Sequence, residues 1–402
     1  MKTLPTPNTQ QIAWMRNIRR HLHRHPELAF AEFATAGFIV EQLGELGIAC
    51  REQVGRTGVV ASLGSKVSNA PCVALRADMD ALPITEQTGL PFASETPGVM
   101  HACGHDGHVA MLLGAAALLK EKEAELPGRV VLIFQPAEEG DGGAQGMIAD
   151  GALDGVSAIF AGHIDRNYGL NEIVVQPGLI SAFTDEFSIE IRSPGGHAAK
   201  PHETADSILA AGQFITSIQS IVAREVHPCF PTVITVGSIH GGDAANVIAS
   251  HVILEGTVRT TSQETRSLCI ASLQRMVKAM EQLHRVQTSF SLREGYPPVI
   301  NDFVAARIAT EVAAAIVGQD KVKGQPLPSL GGEDFSFFLQ KVPGCLVRLG
   351  ARHTQLHDAP AHSPHFDFDE QVLPTGALFL AQTAISAIER MEELRSPTPD
   401  RT

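Results

Sequence analysis

The chain has 402 residues, of which 44% are hydrophobic and 19% charged, so it is long enough for two or three domains with large cores, and its composition excludes general disorder. The formal net charge of -13 and the lack of any basic run or basic-aromatic patch argue against a nucleic-acid partner. The N-terminal stretch MKTLPTPNTQQ is polar, and the longest apolar run, 109–119, is shorter than the ~18 residues of a membrane span. We therefore expect no secretory signal and no membrane association.

The six cysteines, at positions 50, 72, 103, 229, 269 and 345, are scattered and include no CxxC pair. This spacing is not that of a disulfide framework. It favours a reducing compartment, which we expect to be the cytoplasm.

The first part of the chain has the pattern of an α/β fold. Two helical segments come first, and continuous apolar strands then alternate with helices, which indicates a sheet covered on both faces. The predicted helices are 9–24, 31–46, 107–122 and 143–150, and the predicted strands are 58–64, 72–77, 129–135 and 157–163.

From about residue 180 the order becomes strand, helix, two strands, helix, strand, which is typical of a ferredoxin-like split βαβ unit. The strands are predicted at 182–192, 232–240, 251–260 and 287–294, with helices at 204–224 and 263–284. The α/β pattern then resumes with helices at 301–317, 331–339 and 370–392 and a strand at 345–350. We therefore predict a discontinuous α/β catalytic domain, 1–180 and 295–402, with an inserted α+β domain, 181–294.

Acidic and imidazole side chains follow three of the predicted strands. Asp78 and Asp80 follow the second strand, Glu138 and Glu139 follow the third, and His163 ends the fourth. Because ligands of open α/β sheets bind beyond the carboxyl ends of the strands, we expect these side chains on one edge. Each also has a purely structural interpretation, as a core histidine or a solvated pair of loop glutamates.

The stretch HACGHDGH, 101–108, directly precedes the apolar run 109–119. Cys103 and His105 are two residues apart, so an extended loop would point both side chains the same way. The alternative is an ordinary helix N-terminus with Asp106 as its cap. A second histidine-rich stretch, AHSPHF at 361–366, is expected to be a loop because Pro364 interrupts regular structure.

The mixture of thiol, imidazole and carboxylate suits zinc or a neighbouring divalent transition metal, whereas calcium and magnesium prefer oxygen alone. In the pair Glu138–Glu139, one carboxylate can bind metal while the other takes a proton from a metal-bound water. No GxSxG, P-loop or GxGxxG motif competes for this chemistry.

With these residues the chain resembles the metal-dependent amidohydrolases that include bacterial hippurate hydrolases and plant indole-acetyl-amino-acid hydrolases, in the aminoacylase and carboxypeptidase G2-like clan of metallopeptidases. The resemblance covers nearly the whole chain. The motifs that carry it are HRHPELAF (23–30), RADMDALPI (76–84), MHACGHDGHVAMLLGAA (100–116), FQPAEEG (134–140), GGHAAKPH (195–202), NVIA (246–249), GTVRT (256–260), GGEDFSFF (331–338) and HSPHFDFDE (362–370).

The resemblance implies a site for two divalent metal ions in each subunit, zinc or manganese, with cobalt or nickel as alternatives. The implied ligands are Cys103, His105, Glu139, His163 and His362. Glu138 would be the general base. Asp80 would orient a ligand or that base without binding the metal itself, as metal sites commonly require.

In the inserted domain the resemblance implies three further residues. His197 would polarise the scissile carbonyl, in many relatives across a dimer interface, and Asn246 and Arg259 would face the substrate's oxyanion and carboxylate. Since an arginine binds a free carboxylate bidentately, the implied substrate is a small N-acyl amino acid with a free acid end. The acyl group that the resemblance implies is acetyl, benzoyl or aryl-acetyl. The inserted domain is expected to act as a lid and to form a homodimer or a dimer of dimers.

The expected reaction is metal-dependent hydrolysis of this amide by a metal-bridged water, with release of a carboxylic acid and a free amino acid. A dipeptidase or carboxypeptidase with the same site is an alternative, because the sequence does not reveal the pocket walls. Two further alternatives are a thiol amidase with Cys103 as nucleophile and a non-catalytic ligand-binding protein, which should lack a ligand or the base. The segment after His163, HIDRNYGLNE, departs from the short Pro-rich loop that the resemblance implies.

Overall fold

The computed structural model describes residues 4–67, 70–140, 142–352 and 359–395. In chain order the helices are α1 (Thr9–Arg24), α2 (Phe33–Glu45), α3 (His105–Glu121), α4 (Gly143–Ala149), α5 (Ser207–Ser217), α6 (Gln219–Arg224), α7 (Gln263–His284), α8 (Phe303–Val317), α9 (Phe335–Leu339), α10 (Val372–Glu389) and α11 (Met391–Arg395). The strands are β1 (Cys50–Val54), β2 (Gly58–Gly64), β3 (Cys72–Asp78), β4 (Arg129–Gln135), β5 (Ala158–Gly169), β6 (Ile173–Val174), β7 (Gly178–Leu179), β8 (Phe183–Arg192), β9 (Gly196–His197), β10 (Thr232–Gly241), β11 (Val247–Ile248), β12 (His251–Thr260), β13 (Gln287–Arg293), β14 (Ile300–Asn301), β15 (Val322–Lys323) and β16 (Gly344–Arg352).

The chain divides into two compact units. The first consists of Met1–Gly178, Ile300–Pro326 and Asp334–Thr402, and the second of Leu179–Val299 and Leu327–Glu333. The short segment Leu327–Glu333 therefore groups with the second unit, although the sequence-based division places it in the catalytic part.

The first unit is built on a sheet with the strand order β1-β2-β4-β3-β5-β16-β6-β15. Its centre, β4-β3-β5-β16, is parallel, and β3 is buried along its whole length, as expected for a strand covered on both faces. The predicted α/β class is confirmed. Because β4 lies on one side of β3 and β5 on the other, this is the part of the sheet where α/β folds bind ligands, beyond the carboxyl ends of the strands.

Helix α3 lies at the centre of the first unit. It is buried from His105 to Leu119 and packs against α1, α10 and β3, as expected for a helix that is apolar all round. Helix α10 is the one helix of the described residues that is long and apolar enough to cross a membrane, but 78% of it is buried inside the protein, as in a core helix.

The main difference from the predicted elements is the length of β5. We expected this strand to end at His163, but it continues to Gly169 in parallel register with β16. After His163 the residues alternate, with Ile164 and Arg166 buried and Asp165 and Asn167 less so, so the stretch is a strand with one covered face. The short strands β1, β6 and β15 were also missed; β1 is an edge strand with three exposed residues and thus carries little apolar pattern.

The second unit is an antiparallel sheet with the order β10-β12-β8-β13 and helices α5, α6 and α7 packed on it. This is the arrangement of a ferredoxin-like fold, as predicted. Phe187, Ile189 and Ile191 alternate along β8 and are buried in the same cluster as Phe214 of α5 and Leu273 of α7. The predicted single helix 204–224 is interrupted at Ile218, which separates α5 from α6.

Candidate metal centre

Metal-binding side chains meet at the carboxyl edge of the first unit's sheet. Three overlapping groups have all their ligand atoms within 4.8 Å of one another, namely Cys103, His105 and His163; Cys103, Glu139 and His362; and His105, Glu138 and Glu139. The structure thus brings together the five side chains named as metal ligands and the glutamate named as general base.

A left-handed glycine, rather than an extended loop, sets the direction of Cys103 and His105. Gly104 has φ 98° and occupies the N-cap position of α3 without a side-chain cap, a conformation that favours glycine. Asp106 is not the cap, contrary to one interpretation of the sequence. Its carboxylate instead accepts hydrogen bonds from Arg19 and His23.

Two of the imidazoles are fixed by main-chain carbonyls. His105 Nδ1 lies 2.9 Å from the carbonyl oxygen of Asp80, and His163 Nδ1 lies 2.7 Å from that of Ile164. A carbonyl can only accept a hydrogen bond, so in the neutral form of each ring Nδ1 carries the proton and Nε2 presents a lone pair. This is the orientation of histidines that bind a metal through Nε2.

The donor atoms fit a bound divalent cation. His105 Nε2 is buried and has no hydrogen-bond partner among the described residues, although such an atom normally finds one. His163 Nε2 lies 3.6 Å from Cys103 Sγ, and His105 Nε2 lies 3.9 Å from Glu139 Oε1. Donors that share a four-coordinate zinc with bonds of ~2.0–2.3 Å are spaced by roughly this distance.

His362 reaches the cluster from a strained loop. Its backbone has φ 66°, its N–H donates to the carbonyl of Ala102 at 2.8 Å, and its Nε2 lies 3.0 Å from Glu139 Oε1. A left-handed non-glycine residue persists only where its surroundings impose it, as at functional sites. The hydrogen bond to Ala102 places His362 next to Cys103.

The charges of the cluster affect one another. Burial opposes ionisation of Glu139, but the close contact with His362 and the charge of His105 hold the pKa of Glu139 below its ordinary value. The same contact raises the pKa of His362. Burial, with a contribution from Glu139, raises the pKa of the Cys103 thiol to about 12. Because metal ligands must be deprotonated, a cation would bind here with release of protons.

Asp80 connects the turn that carries the two glutamates to the loop after β3. Its carboxylate accepts the N–H of Glu138 at 3.1 Å and the N–H of Glu139 at 3.0 Å. Asp80 also provides the carbonyl that orients His105. This residue therefore holds a base candidate and two ligand candidates in one arrangement, without belonging to the ligand groups.

The sequence did not reveal the part that His108 and Asp78 play. His108 Nδ1 lies 2.5 Å from Asp78 Oδ1, and His108 Nε2 accepts the N–H of Ile164 at 2.8 Å. Both ring nitrogens are therefore used, so His108 supports the strand that carries His163 and offers no lone pair to a metal. The three-residue spacing from His105 to His108 places both on one helix face and was the available signal. The third histidine of the motif, His101, is buried, and burial lowers its pKa to about 3.

A buried cluster of ion pairs lies beside the first turn of α3. The guanidinium of Arg19 is 1% exposed and contacts Asp106 at 3.0 Å, Glu370 at 3.1 Å and also Asp367. His23 Nδ1 lies 2.8 Å from the Asp106 carboxylate. Since Asp106 lies between His105 and His108, the cluster anchors the first turn of α3.

Replacing Arg19 with leucine should lower the free energy of unfolding by about 3–5 kcal/mol, because Asp106 and Asp367 would stay buried without their cation. The matched control is Arg20→Leu, since Arg20 binds the same Glu370 from a side chain that is 40% exposed and should contribute less than about 1 kcal/mol. Urea unfolding of both variants measures the difference. Equal losses would contradict this interpretation.

The remaining three predicted residues lie in the second unit. His197 and Asn246 are neighbours, because β9 pairs with β11 and the N–H of Ala198 donates to the carbonyl of Asn246 at 3.0 Å. Arg259 lies on β12 between Thr184 of β8 and Val233 of β10. Burial lowers the pKa of Arg259.

Comparison with known proteins supports a common origin. The model of Peptidase family M20/M25/M40 matches residues 74–386. The chain is 41% identical to the N-acetyl-L-cysteine deacetylase of Bacillus subtilis, over 94% of this chain and 88% of the relative. It is 40% identical to the IAA-amino acid hydrolase ILR1-like 4 of Arabidopsis thaliana, over 92% of this chain and 85% of the relative.

A solved structure is similar over almost the same length. The YXEP protein of Bacillus subtilis, described as a dinuclear metal-binding peptidase of the M20 family, is 35% identical, covers 95% of this chain and 99% of its own, and superimposes with a TM-score of 0.81. The family model and these relatives span most of the chain. It therefore belongs to Peptidase family M20/M25/M40 and is a metal-dependent hydrolase of that family.

Proposed function

We propose that this protein hydrolyses the amide bond of N-acyl amino acids with two divalent metal ions. The observation that carries the proposal is the convergence of a thiol, three imidazoles and a carboxylate beside a second glutamate. The ligands would be Cys103, His105, Glu139, His163 and His362. Zinc or manganese suits this donor set, with cobalt or nickel as alternatives. Relatives named for N-acetyl-L-cysteine and for IAA-amino acids support an N-acyl amino acid as the substrate class.

Glu138 is the proton carrier of the proposed reaction. When bound, the cations supply Lewis acidity to the carbonyl oxygen and to the attacking water. Glu138 takes a proton from that water and returns it to the leaving nitrogen, so one carboxylate serves both steps. Glu138 is only 7% exposed, and its N–H donates to Asp80. Both features limit the positions that the Glu138 carboxylate can take.

His197 and Asn246 complete the proposal from the second unit, which would act as a lid and as the contact of a homodimer. His197 Nδ1 accepts the N–H of Ala199 at 3.0 Å, so in the neutral ring Nε2 carries the proton and can donate a hydrogen bond. A donor of this kind suits the oxygen that becomes negative during amide hydrolysis. The amide of Asn246 would donate to the same oxygen.

Arg259 would bind the free carboxylate of the substrate. Its guanidinium is half-buried, and none of the residues that the structure describes forms a hydrogen bond or ion pair with it. A carboxylate ligand would provide the partner that a partly desolvated cation otherwise lacks.

A panel of hippurate, N-acetyl, indole-acetyl and dipeptide substrates tests the substrate class. With metal added, hippurate should be hydrolysed with a kcat/KM at least about tenfold above that of its amide, benzoylglycinamide. The reason is that the amide lacks the carboxylate that Arg259 would bind, and a charged hydrogen bond contributes about 1.5–3 kcal/mol. Arg259→Met should remove this preference and leave kcat/KM for benzoylglycinamide within about threefold of the wild-type value. A panel in which dipeptides alone are cleaved would favour the dipeptidase alternative instead.

The thiol amidase alternative has less support. A nucleophilic cysteine needs a lowered pKa, whereas the surroundings of Cys103 raise it to about 12. All six cysteines are free thiols, which supports placing the enzyme in the reducing cytoplasm.

A further inference from the structure

Glu32 is a fully buried carboxylate outside the candidate metal centre. It lies just before α2 and is 0% exposed. Its Oε2 accepts the hydroxyl of Thr57 at 2.6 Å. Its Oε1 accepts two main-chain N–H groups, those of Phe30 and Ala137, both at 2.9 Å. The contact with Ala137 joins the N-terminal segment to a turn 105 residues further along the chain.

Ala137 is the residue before Glu138, and its backbone is strained. Its φ is 54°, in the left-handed region that a non-glycine residue adopts only where its surroundings impose it. The N–H groups of Glu138 and Glu139 are bound by Asp80. Three successive N–H groups of this turn are therefore held by two carboxylates, with Glu32 bound at the strained residue.

The rest of the N-terminal segment also packs closely on this region. A Cβ placed on Gly140 would lie 2.7 Å from the Cβ of Ala29, so the end of the turn accepts no side chain there. Leu28 forms an isolated parallel bridge with Ala81, the neighbour of Asp80. Residues 28–32 therefore contact both loops that position Glu138.

We propose that Glu32 is a positioning residue for the reaction, because it holds Ala137 in the left-handed conformation that directs Glu138 towards the substrate. This inference rests on the proposed function, in which Glu138 is the general base. The effect comes from the reach of the side chain and not from its charge. Misplacing a proton carrier by about 1 Å can reduce turnover by ~10²-fold.

Two substitutions separate reach from charge. Glu32→Asp keeps the charge but shortens the side chain by one methylene, so the carboxylate no longer reaches Ala137. We expect kcat to fall at least about tenfold, with KM within threefold and the acid limb of the pH profile displaced. Glu32→Gln keeps the length, its amide oxygen can accept both N–H groups, and its NH₂ can donate to Thr57. It should retain at least about a third of kcat and the wild-type pH profile.

The matched control is Glu27→Asp. The carboxylate of Glu27 accepts the N–H groups of Ala34 and Thr35 at 3.1 and 2.8 Å and so supports the start of α2 rather than the turn at Ala137. Glu27→Asp should lower Tm about as much as Glu32→Asp does, while its kcat stays within twofold of wild type. Bound metal, measured by elemental analysis, should stay at the wild-type ratio in all three variants, because the ligand side chains are unchanged.

The outcomes distinguish this inference from the proposed function. Glu138→Gln is measured in parallel, and turnover in that variant would refute the proposed base and the inference with it. If Glu138→Gln is inactive but Glu32→Asp keeps kcat within twofold of the Glu27→Asp control, only the inference is overturned. A folded Glu32→Gln enzyme that loses more than tenfold also overturns it, and this arm decides the matter if Glu32→Asp does not fold. Loss of metal in step with loss of kcat would mean that Glu32 acts through the ligand Glu139 rather than through Glu138, and would contradict the proposal.

Discussion

Glu138→Gln should retain its bound metal and lose nearly all turnover. The substitution keeps the size of the side chain and the N–H that Asp80 binds, but an amide cannot take up a proton at neutral pH. Loss of a positioned proton carrier typically costs ~10²- to 10⁴-fold in rate. Steady-state kinetics on an N-acyl amino acid, together with the metal content of the purified variant, measure both parts of this expectation.

The neighbouring glutamate provides the comparison. Glu139 shares the same turn and the same Asp80 carboxylate, yet its Oε1 lies 3.0 Å from His362 and 3.9 Å from His105. Glu139→Gln should therefore reduce metal content as well as turnover. If the two variants had the same metal content and the same residual rate, the division of roles between the two glutamates would be wrong.

Removal of metal should eliminate activity, and return of a divalent cation should restore it. After dialysis against a chelator, the site would have neither the Lewis acid nor the charge that ionises Cys103, whose pKa the protein itself raises to about 12. Zinc, manganese, cobalt and nickel added back separately should differ in the rate that they restore. That comparison would identify the metal that the donor set prefers.

The same experiment tests the thiol alternative. A cysteine amidase keeps its activity in a chelator and loses it to a thiol-alkylating reagent. Full activity in the metal-free protein would exclude the metal mechanism. Protection of Cys103 against alkylation by added metal would support its assignment as a ligand.

Much of the architecture could be predicted because the signals are local. Continuous apolar runs predicted β2, β3 and β4 to within a residue, and the 3.6-residue period predicted α1 and α7 with their observed limits. The carboxyl ends of β3 and β4 and the histidine of β5 indicated one edge of the sheet, because parallel strands end on the same side. The edge strand β1 was missed because three of its five residues are exposed, which leaves little apolar pattern.

The contacts within the site could be predicted only in part. His362 reaches the cluster through a hydrogen bond to Ala102 in a loop 260 positions away, and no local pattern indicates such a contact. The same holds for Glu32 and Ala137. The sequence also does not distinguish the candidate ligand His105 from His108. The two differ because His108 Nε2 already accepts the N–H of Ile164. Long-range pairing decides these roles, and spacing along the chain does not show it.

The orientation of His105 and His163 depends on peptide oxygens, which every amino acid supplies. A change of side chain at position 80 or 164 leaves the acceptor for each Nδ1 proton in the chain, so the tautomer of both rings is protected against most single substitutions. His108 has the opposite property, because its Nδ1 depends on the side chain of Asp78. Substitution of Ile164 should therefore leave His163 oriented, whereas substitution of Asp78 should disturb His108; replacing Asp80 would keep the acceptor for His105 but free the N–H groups of Glu138 and Glu139.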